Sequence, residues 1–514
     1  MTGTDTDPRV HATVIVGAGL SGIGAAIRLR QAGVDDIVIV ERADTVGGTW
    51  RDTEYPGAAC DIPALLYCFS FAAPSDWSHL YARAAGVRAY IEQLVDDHRL
   101  RPLIRFGLQV TGLHFDEETG TWLVDTARGV RLRARSVVLA RGPLSDPSYP
   151  DLDDRGDYRG HTVHSARWDR DYDFTGKRVA VIGTGASAVQ IVPELAEIAA
   201  SVTVFQRTPT WVLPRLDAAL PRVARALFTR SGAARRIARS LLYWYHEFNA
   251  LALVWNSPLT RLVSWFARAH LRRQVKDPAL RRRLTPDFTV GCKRMLISSD
   301  YYRALGRHNC RLIDTPISRM THTGIRTADH VDHGFDAVVF ATGYQAQHIG
   351  PPFPVTGTGG RRLADDWARG GHAHKGINTH GYPNLFFLTG PNSGPAHHSV
   401  LVYVEAQIDY AVAAIGAILT ADLHCLDVRA DAEDRHNRDI RRRLAATTWM
   451  TGCRSWFLTA DGANPTLYPG FATQYRRQMR EFRLADYHVV SHYTAAQALA
   501  GRVRPGAGAT YGSR

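Results

Sequence analysis

The chain has 514 residues, 45 % hydrophobic and 22 % charged, enough for two or three domains with large buried cores. Its formal net charge of +13 raises a nucleic-acid reading, but the arginines are scattered through RVRLRARS, ARRIARS and LRRRLT without an aromatic-interleaved motif. No nucleic acid is therefore expected, and the charge suits anionic cofactors or a membrane surface. The polar start MTGTDTDPRV does not fit a signal peptide, and no run of 18 uncharged apolar residues occurs. The six cysteines form no C-x-x-C pair or zinc spacing. Together these predict a cytoplasmic protein with reduced thiols, no metal and no transmembrane segment.

In chain order, ATVIVGAGLSGIGAAIRLRQAG predicts a strand through Val14–Val16, the turn Gly17-x-Gly19-x-x-Gly22, and a helix of small and aliphatic residues. In such a turn the first glycine permits the tight bend and the second lets a pyrophosphate approach the backbone. The third lets helix and strand pack closely, with the phosphates at the helix N-terminus. The next strand, IVIV, ends at Glu41, 19 residues after Gly22, where an acid binds a ribose diol. GGTWRDTEYPGAACDIPALLYCFSF and YRGHTVHSARWDRDYDFTGKRV follow. Then KRVAVIGTGASAVQIVPELA repeats the first pattern as Gly183-x-Gly185-x-x-Ala188, with SVTVF as the next strand. Here the residue 19 positions after Ala188 is Arg207, which suits the 2′-phosphate of NADP that an acid would repel.

The two turns thus call for different dinucleotides, FAD in the first and NADPH in the second. The predicted fold class is α/β, with two Rossmann-like dinucleotide-binding domains. A disulfide reductase shares this layout, but Cys60 and Cys68 are eight apart and no C-x-x-x-x-C is present. From about 215 to 285 the α/β rhythm breaks into an arginine-rich helical segment containing LLYWYHEFNALALVW. Core packing is the expected job of its aromatic stripe, with a substrate tunnel or a membrane surface as the alternatives. Next comes VGCKRML, where Lys293, one of four lysines, stands beside Arg294. In extended backbone, neighbours point to opposite faces, so the pair can serve two anionic sites or lie on a surface strand.

Tyr158, Gly160, His164, Trp168 and Asp169 fall into [F/Y]-x-G-x-x-x-H-x-x-x-W-[P/D]. With these residues the chain resembles the type I Baeyer–Villiger monooxygenases, among the class B flavoprotein monooxygenases. Tyr158 replaces the usual phenylalanine, and Trp168 followed by Asp169 favours this branch over the heteroatom-oxidising one. The likeness runs from about residue 11 to about 490. It implies an FAD domain in 1–145 and 341–514 and an NADP domain in 146–340, with the helical insertion inside the latter. The fingerprint is implied to couple domain movement to catalysis without touching substrate. DAVVFATGYQ, NLFFLTGPNS and GCRSWFLTADGANPTLYPG resemble the return to the FAD domain, a flavin-side loop and a mobile C-terminal loop.

The resemblance also implies site roles. The stretch Gly47, Gly48, Trp50, Tyr55, Pro56, Gly57 and Asp61 matches a flavin-side signature, in which Asp61 is the active-site aspartate and Tyr67 a flavin contact. In GCKR, Lys293 would join Arg207 and Thr208 around the 2′-phosphate, while Arg294 lies over the flavin, held by Asp61. The implied FAD set is Gly17, Gly19, Ser21, Gly22, Glu41, Arg42, Gly48, Thr49, Trp50, Asp61, Tyr67 and Val110. The implied NADP set is Gly183, Thr184, Gly185, Ser187, Ala188, Arg207, Thr208, Lys293, Thr342 and Trp456, with Arg294 and Asp61 catalytic.

The implied reaction starts with NADPH reducing FAD, after which dioxygen gives a C4a-peroxyflavin that Arg294 keeps deprotonated. Attack on a small-molecule ketone then yields an ester or lactone. The chain is expected to act as a monomer or homodimer. The rival readings are nitrogen or sulfur oxygenation and an uncoupled NADPH oxidase. Three departures from the family pattern stand out. Arg141 occupies a usual threonine position, Ala64 and Leu65 replace common polar residues, and His397 and His398 sit in an altered loop. The two histidines are expected to be structural, with substrate contact as the alternative.

Overall fold

The computed structural model describes residues 5–74, 76–152, 154–345, 350–453, 455–459 and 461–492. The chain opens with β1 (Asp5–Val16), α1 (Leu20–Gln31) and β2 (Ile37–Val40). A helical turn α2 (Thr49–Asp52) and α3 (Ala84–Asp97) lead to β3 (Ile104–Arg105). An antiparallel run follows: β4 (Val110–Asp116), β5 (Thr121–Thr126) and β6 (Val130–Leu139). Next come β7 (His161–His164), β8 (Arg178–Ile182), α4 (Ala186–Ile198), β9 (Ser201–Phe205) and β10 (Val212–Leu213). The helical segment holds α5 (Arg222–Arg230), α6 (Gly232–Leu253), α7 (Pro258–Gln274) and α8 (Pro278–Leu284). After it come β11 (Leu296–Ile297), α9 (Tyr301–Leu305), β12 (Cys310–Ile313), the ribbon β13 (Ile317–Thr321), β14 (Gly324–Thr327) and β15 (Asp332–Gly334), and β16 (Ala337–Phe340). The last third runs through β17 (Val355–Thr356), α10 (Leu363–Asp366), β18 (Leu385–Phe387), α11 (Val400–Thr420), β19 (Leu423–Val428), α12 (Ala430–Leu444), α13 (Ala472–Met479) and β20 (Tyr487–Ser491).

Two sheets organise these elements. The first has the order β17-β4-β5-β6-β1-β2-β3, with β18 joined to β6. Its β1 is parallel to both β2 and β6, through Val14↔Val38 and Val14↔Val137. The second is β12-β9-β8-β16-β7, all parallel. Val14 and Ile15 of β1 and Val179, Ala180 and Val181 of β8 are fully buried. Continuous apolar runs of this kind are what a parallel strand covered on both faces needs. Each glycine turn leaves the C-terminal end of a central strand, which is where ligands bind in open α/β sheets.

One helix, Val400–Thr420, is long and apolar enough by length and composition to cross a membrane. It packs against α1 and α13, and 61 % of its most apolar window is buried. Among the described residues it serves the core.

Three expectations fail. The aromatic stripe of α6 does not pack inward: Ile237, Leu241, Trp244, Tyr245 and Phe248 are 59–68 % exposed, while His246, Glu247 and Ala250 are buried. The helical period is right, but the small and polar residues take the inner face. The thiols are not all reduced, because Cys292 and Cys453 form a disulfide across 161 residues. No short spacing marks this pair; the fold brings it together. Finally, Lys293 is not in extended backbone. Val290–Lys293 is a turn with Gly291 at φ +90°, and strand begins only at Leu296.

Candidate functional site

At the first turn Gly17 has φ +107°, and a Cβ there would fall 2.9 Å from the Ala140 carbonyl oxygen. A Cβ on Gly22 would fall 1.9 Å from the Gly17 carbonyl oxygen, so the third position excludes any side chain. Gly48, at φ +53°, faces Gly19 so closely that its Cβ would stand 3.1 Å from the Gly19 Cα. Gly19 caps α1 without a side-chain acceptor, which leaves the N–H groups of the first helical turn, Ser21 included, open to an anion.

Behind this turn, the buried Glu41 carboxylate accepts from the N–H groups of Ala18 (2.8 Å) and Ala43 (3.0 Å) and from Arg51 Nη1 (3.0 Å). Arg42 reaches Asp146, which also pairs with Arg141, and Arg141 Nη1 donates to the Gly350 carbonyl oxygen at 3.5 Å. The departure at Arg141 is thus a buttress between three segments. Thr49 Oγ1 donates to the Leu144 carbonyl at 3.2 Å, and Trp50 Nε1 donates to the Tyr67 hydroxyl at 3.0 Å. Val110 is buried in the β-sheet core, so only its backbone can face a ligand.

The second turn repeats this backbone with a different electrostatic ending. Gly183 has φ +117°, and a Cβ there would meet the Ala341 carbonyl oxygen at 2.4 Å. Nothing lies within 4 Å of a Cβ built on Gly185, and Gly185 caps α4 with no side-chain acceptor. Thr184 Oγ1 donates to the Thr208 carbonyl at 2.8 Å, tying the turn to the end of β9. Arg207 is exposed and makes no hydrogen bond or ion pair among the described residues. Lys293 lies over the Phe288 ring at 4.8 Å. Burial and then the Arg207 charge lower its pKa. The two cations repel each other, while the Asp287 charge acts on Lys293 in the opposite direction; a pair of cations placed like this suits a multiply charged anion.

Between the turns, Arg294 holds Asp61 with both Nε (3.1 Å) and Nη2 (2.8 and 2.7 Å). The Asp61 charge raises the Arg294 pKa beyond its already high ordinary value. Asp61 occupies Nε and Nη2, so Nη1 is left open among the described residues, on a side chain 41 % exposed. Burial raises the Cys60 thiol and the Tyr67 phenol, so both stay neutral beside this pair. Ala64 and Leu65 are buried; the Ala64 N–H donates to the Leu80 carbonyl at 2.7 Å, and the Leu65 carbonyl accepts from Arg239 at 2.7 Å.

The fingerprint segment runs from the edge strand β7 of the second sheet to the loop around Tyr55. Trp168 contacts Tyr55 edge-on at 6.5 Å and stacks on Phe174 at 5.2 Å. Tyr55 donates to Gln190 of α4 at 3.0 Å, and Gln190 in turn donates to the Ala59 carbonyl. Tyr55 also contacts Ser187, while Ala188 is fully buried. Burial lowers the His164 pKa to about 4, so its ring is neutral, with Nδ1 accepting from Ala166 N–H. Thr342 Oγ1 donates to the Ser148 carbonyl at 2.5 Å and lies 3.4 Å from His164 Nε2.

His397 and His398 do not open toward a substrate. His398 accepts from Ser399 N–H and lies 3.3 Å from the Tyr243 carbonyl, and His397 is buried 3.8 Å from Glu247. Glu247 caps α13 by accepting from Ala472 and Thr473 N–H. Trp456 is 41 % exposed with its ring on Phe457 at 4.4 Å, and nothing joins it to Arg207 or Lys293. Gln190, Glu247 and the disulfide were not marked by any motif.

A family model described as pyridine nucleotide-disulphide oxidoreductase matches residues 14–220, spanning both turns. A Baeyer–Villiger monooxygenase of Pseudomonas aeruginosa is 41 % identical over 94 % of this chain and 92 % of its own length. Another from Streptomyces coelicolor is 40 % identical over 93 % of this chain and 92 % of its own. The solved structure of cyclohexanone monooxygenase from Rhodococcus sp. Phi1 bound to NADP+ has a TM-score of 0.85 at 26 % identity, covering 94 % of this chain and 100 % of that one. With one mixed and one all-parallel sheet, two glycine turns and relatives this similar over nearly the full length, the chain belongs to the Baeyer–Villiger monooxygenases.

Proposed function

We propose that this chain uses FAD and NADPH to insert one atom of dioxygen beside the carbonyl of a small-molecule ketone, giving an ester or lactone. The division into an FAD domain (1–145 and 341–514) and an NADP domain (146–340) is part of this reading, supported by the two sheets. The residues fit both groups. The Gly17–Gly22 turn and the backbone of Gly48 and Thr49 make a side-chain-free cradle suited to a flavin dinucleotide. The open backbone at Gly185, with Arg207 and Lys293 nearby, suits a nicotinamide dinucleotide carrying an extra phosphate.

When bound, the nicotinamide supplies hydride to the flavin, which activates dioxygen. The protein's part is positional and electrostatic. Asp61 grips one edge of the Arg294 guanidinium and fixes its plane, so the Nη1 donors are aimed without reorganisation. An arginine stays charged throughout, so it stabilises a developing oxygen anion and gives up no proton to it. Tyr67 and Cys60, both neutral, offer no competing negative charge. Arg207 and Lys293 hold the second dinucleotide through its phosphate, and Trp168 and Tyr55 join the two halves.

The observation carrying this reading is the two-toothed Arg294–Asp61 pair between two dinucleotide turns of opposite charge. Arg294→Ala is expected to bind flavin and accept hydride from NADPH at near-normal rates. Its ester yield from a ketone is expected to fall about 100-fold or more, the scale on which a preorganised donor acts. Stopped-flow reduction and product analysis measure the two arms, and normal ester yield would overturn the assignment.

A further inference from the structure

We propose that the outer face of the helical insert is a docking surface for an anionic phospholipid membrane. Along α6, Ile237, Leu241, Trp244, Tyr245 and Phe248 recur every three or four residues on the solvent side. The neighbouring helices continue the pattern. Val223 and Leu227 of α5 are 80 % and 51 % exposed, and Leu262, Trp265 and Phe266 of α7 are 48–59 % exposed. α5 packs on α6 and α6 on α7, so these residues lie on adjoining helices. A concentration of exposed aliphatic and aromatic side chains on this scale marks an interaction site in a water-soluble fold.

The charge around these residues selects the partner. Residues 222–273 contain ten arginines and a single acid, Glu247, which is buried and committed to capping α13. Eight of those arginines are exposed: Arg222, Arg225, Arg230, Arg236, Arg261 and Arg268, with Arg272 and Arg273. Aromatic rings that seat at the headgroup level, interspersed with cations and free of acids, suit an anionic lipid surface. A second copy of this chain fits poorly. A two-fold interface would place the same arginines against one another with no carboxylate between them. Nucleic acid would not reward the exposed aliphatic residues on α5 and α6. The inner face of α6 is meanwhile pinned by Glu247 and by His246, whose Nδ1 lies 3.0 Å from the His397 carbonyl oxygen. Its outer face can therefore contact lipid without loosening the body of the enzyme.

The test is co-sedimentation of the full-length protein with large vesicles, either of phosphatidylcholine alone or of an equal mixture of phosphatidylcholine and phosphatidylglycerol. Partition into the anionic vesicles is expected to be at least about tenfold greater, and to fall at high salt. Trp244→Ser combined with Trp265→Ser should lower it about tenfold, with thermal unfolding and turnover of a water-soluble ketone unchanged. Arg236→Glu combined with Arg261→Glu should abolish the preference for the anionic mixture. Absence of binding, or equal binding to both vesicles, overturns the proposal, and both arms use the unmodified protein. A concentration-dependent dimer that the tryptophan double variant dissolves, without vesicle binding, would reassign the face to a second copy.

Discussion

The two glycine turns share a backbone and differ in what a side chain would meet there. In the first, Gly22 has no room for a methyl group, whereas the second accepts Ala188 at the same position, fully buried. In the first, the strand ends on a buried carboxylate whose hydrogen bonds all go to the protein. In the second, it ends on an exposed guanidinium with no partner among the described residues. The first turn is thus locked from behind by its own acid, and the second keeps its charge free for a ligand. A shared fold sets where a pyrophosphate lies. The residue at the strand end decides whether the neighbouring site is finished by protein or left open.

The sharpest way to break this contrast is Gly22→Ala, which drives a methyl into the Gly17 carbonyl. It is expected to cost about 3 kcal/mol and to release the flavin, as thermal unfolding and the absorbance spectrum of the purified protein would report. Arg207→Ala should weaken NADPH about 10- to 100-fold and leave NADH within a few-fold, since only NADPH carries the extra phosphate. Equal losses for the two nucleotides in kcat/KM would mean that the phosphate binds elsewhere. Glu41→Gln keeps the shape but removes the charge that Arg51 and two N–H groups share, at a cost of about 1–3 kcal/mol in denaturant unfolding. The smallest stability effect belongs to Gly185→Ala, where the added Cβ meets open space. Unfolding should shift by less than about 0.5 kcal/mol while KM for NADPH rises.

Both turns were legible in the sequence because their logic is local: a strand, three small residues, a helix, and a charge 19 positions on. The pairing of Arg294 with Asp61 is not local. It spans 233 residues and was anticipated through the family resemblance alone. The helical period of α6 was readable too, but period does not say which face turns inward. Small and polar residues occupy the packed side here, with Glu247 and His246 satisfied by groups from distant loops. In VGCKRML the two neighbours do part, but not by strand alternation. A turn at Gly291, rather than strand alternation, sends Lys293 toward Arg207 and Arg294 toward Asp61.

Cys292 immediately precedes Lys293, and its disulfide partner Cys453 stands three positions before Trp456. Lys293 and Arg294 are therefore stapled, through one short turn, to a segment 161 residues further along the chain. While the staple holds, neither segment can move away without dragging the other along. Opening it with a thiol reductant would free the turn that carries Lys293 and Arg294 from that distant segment.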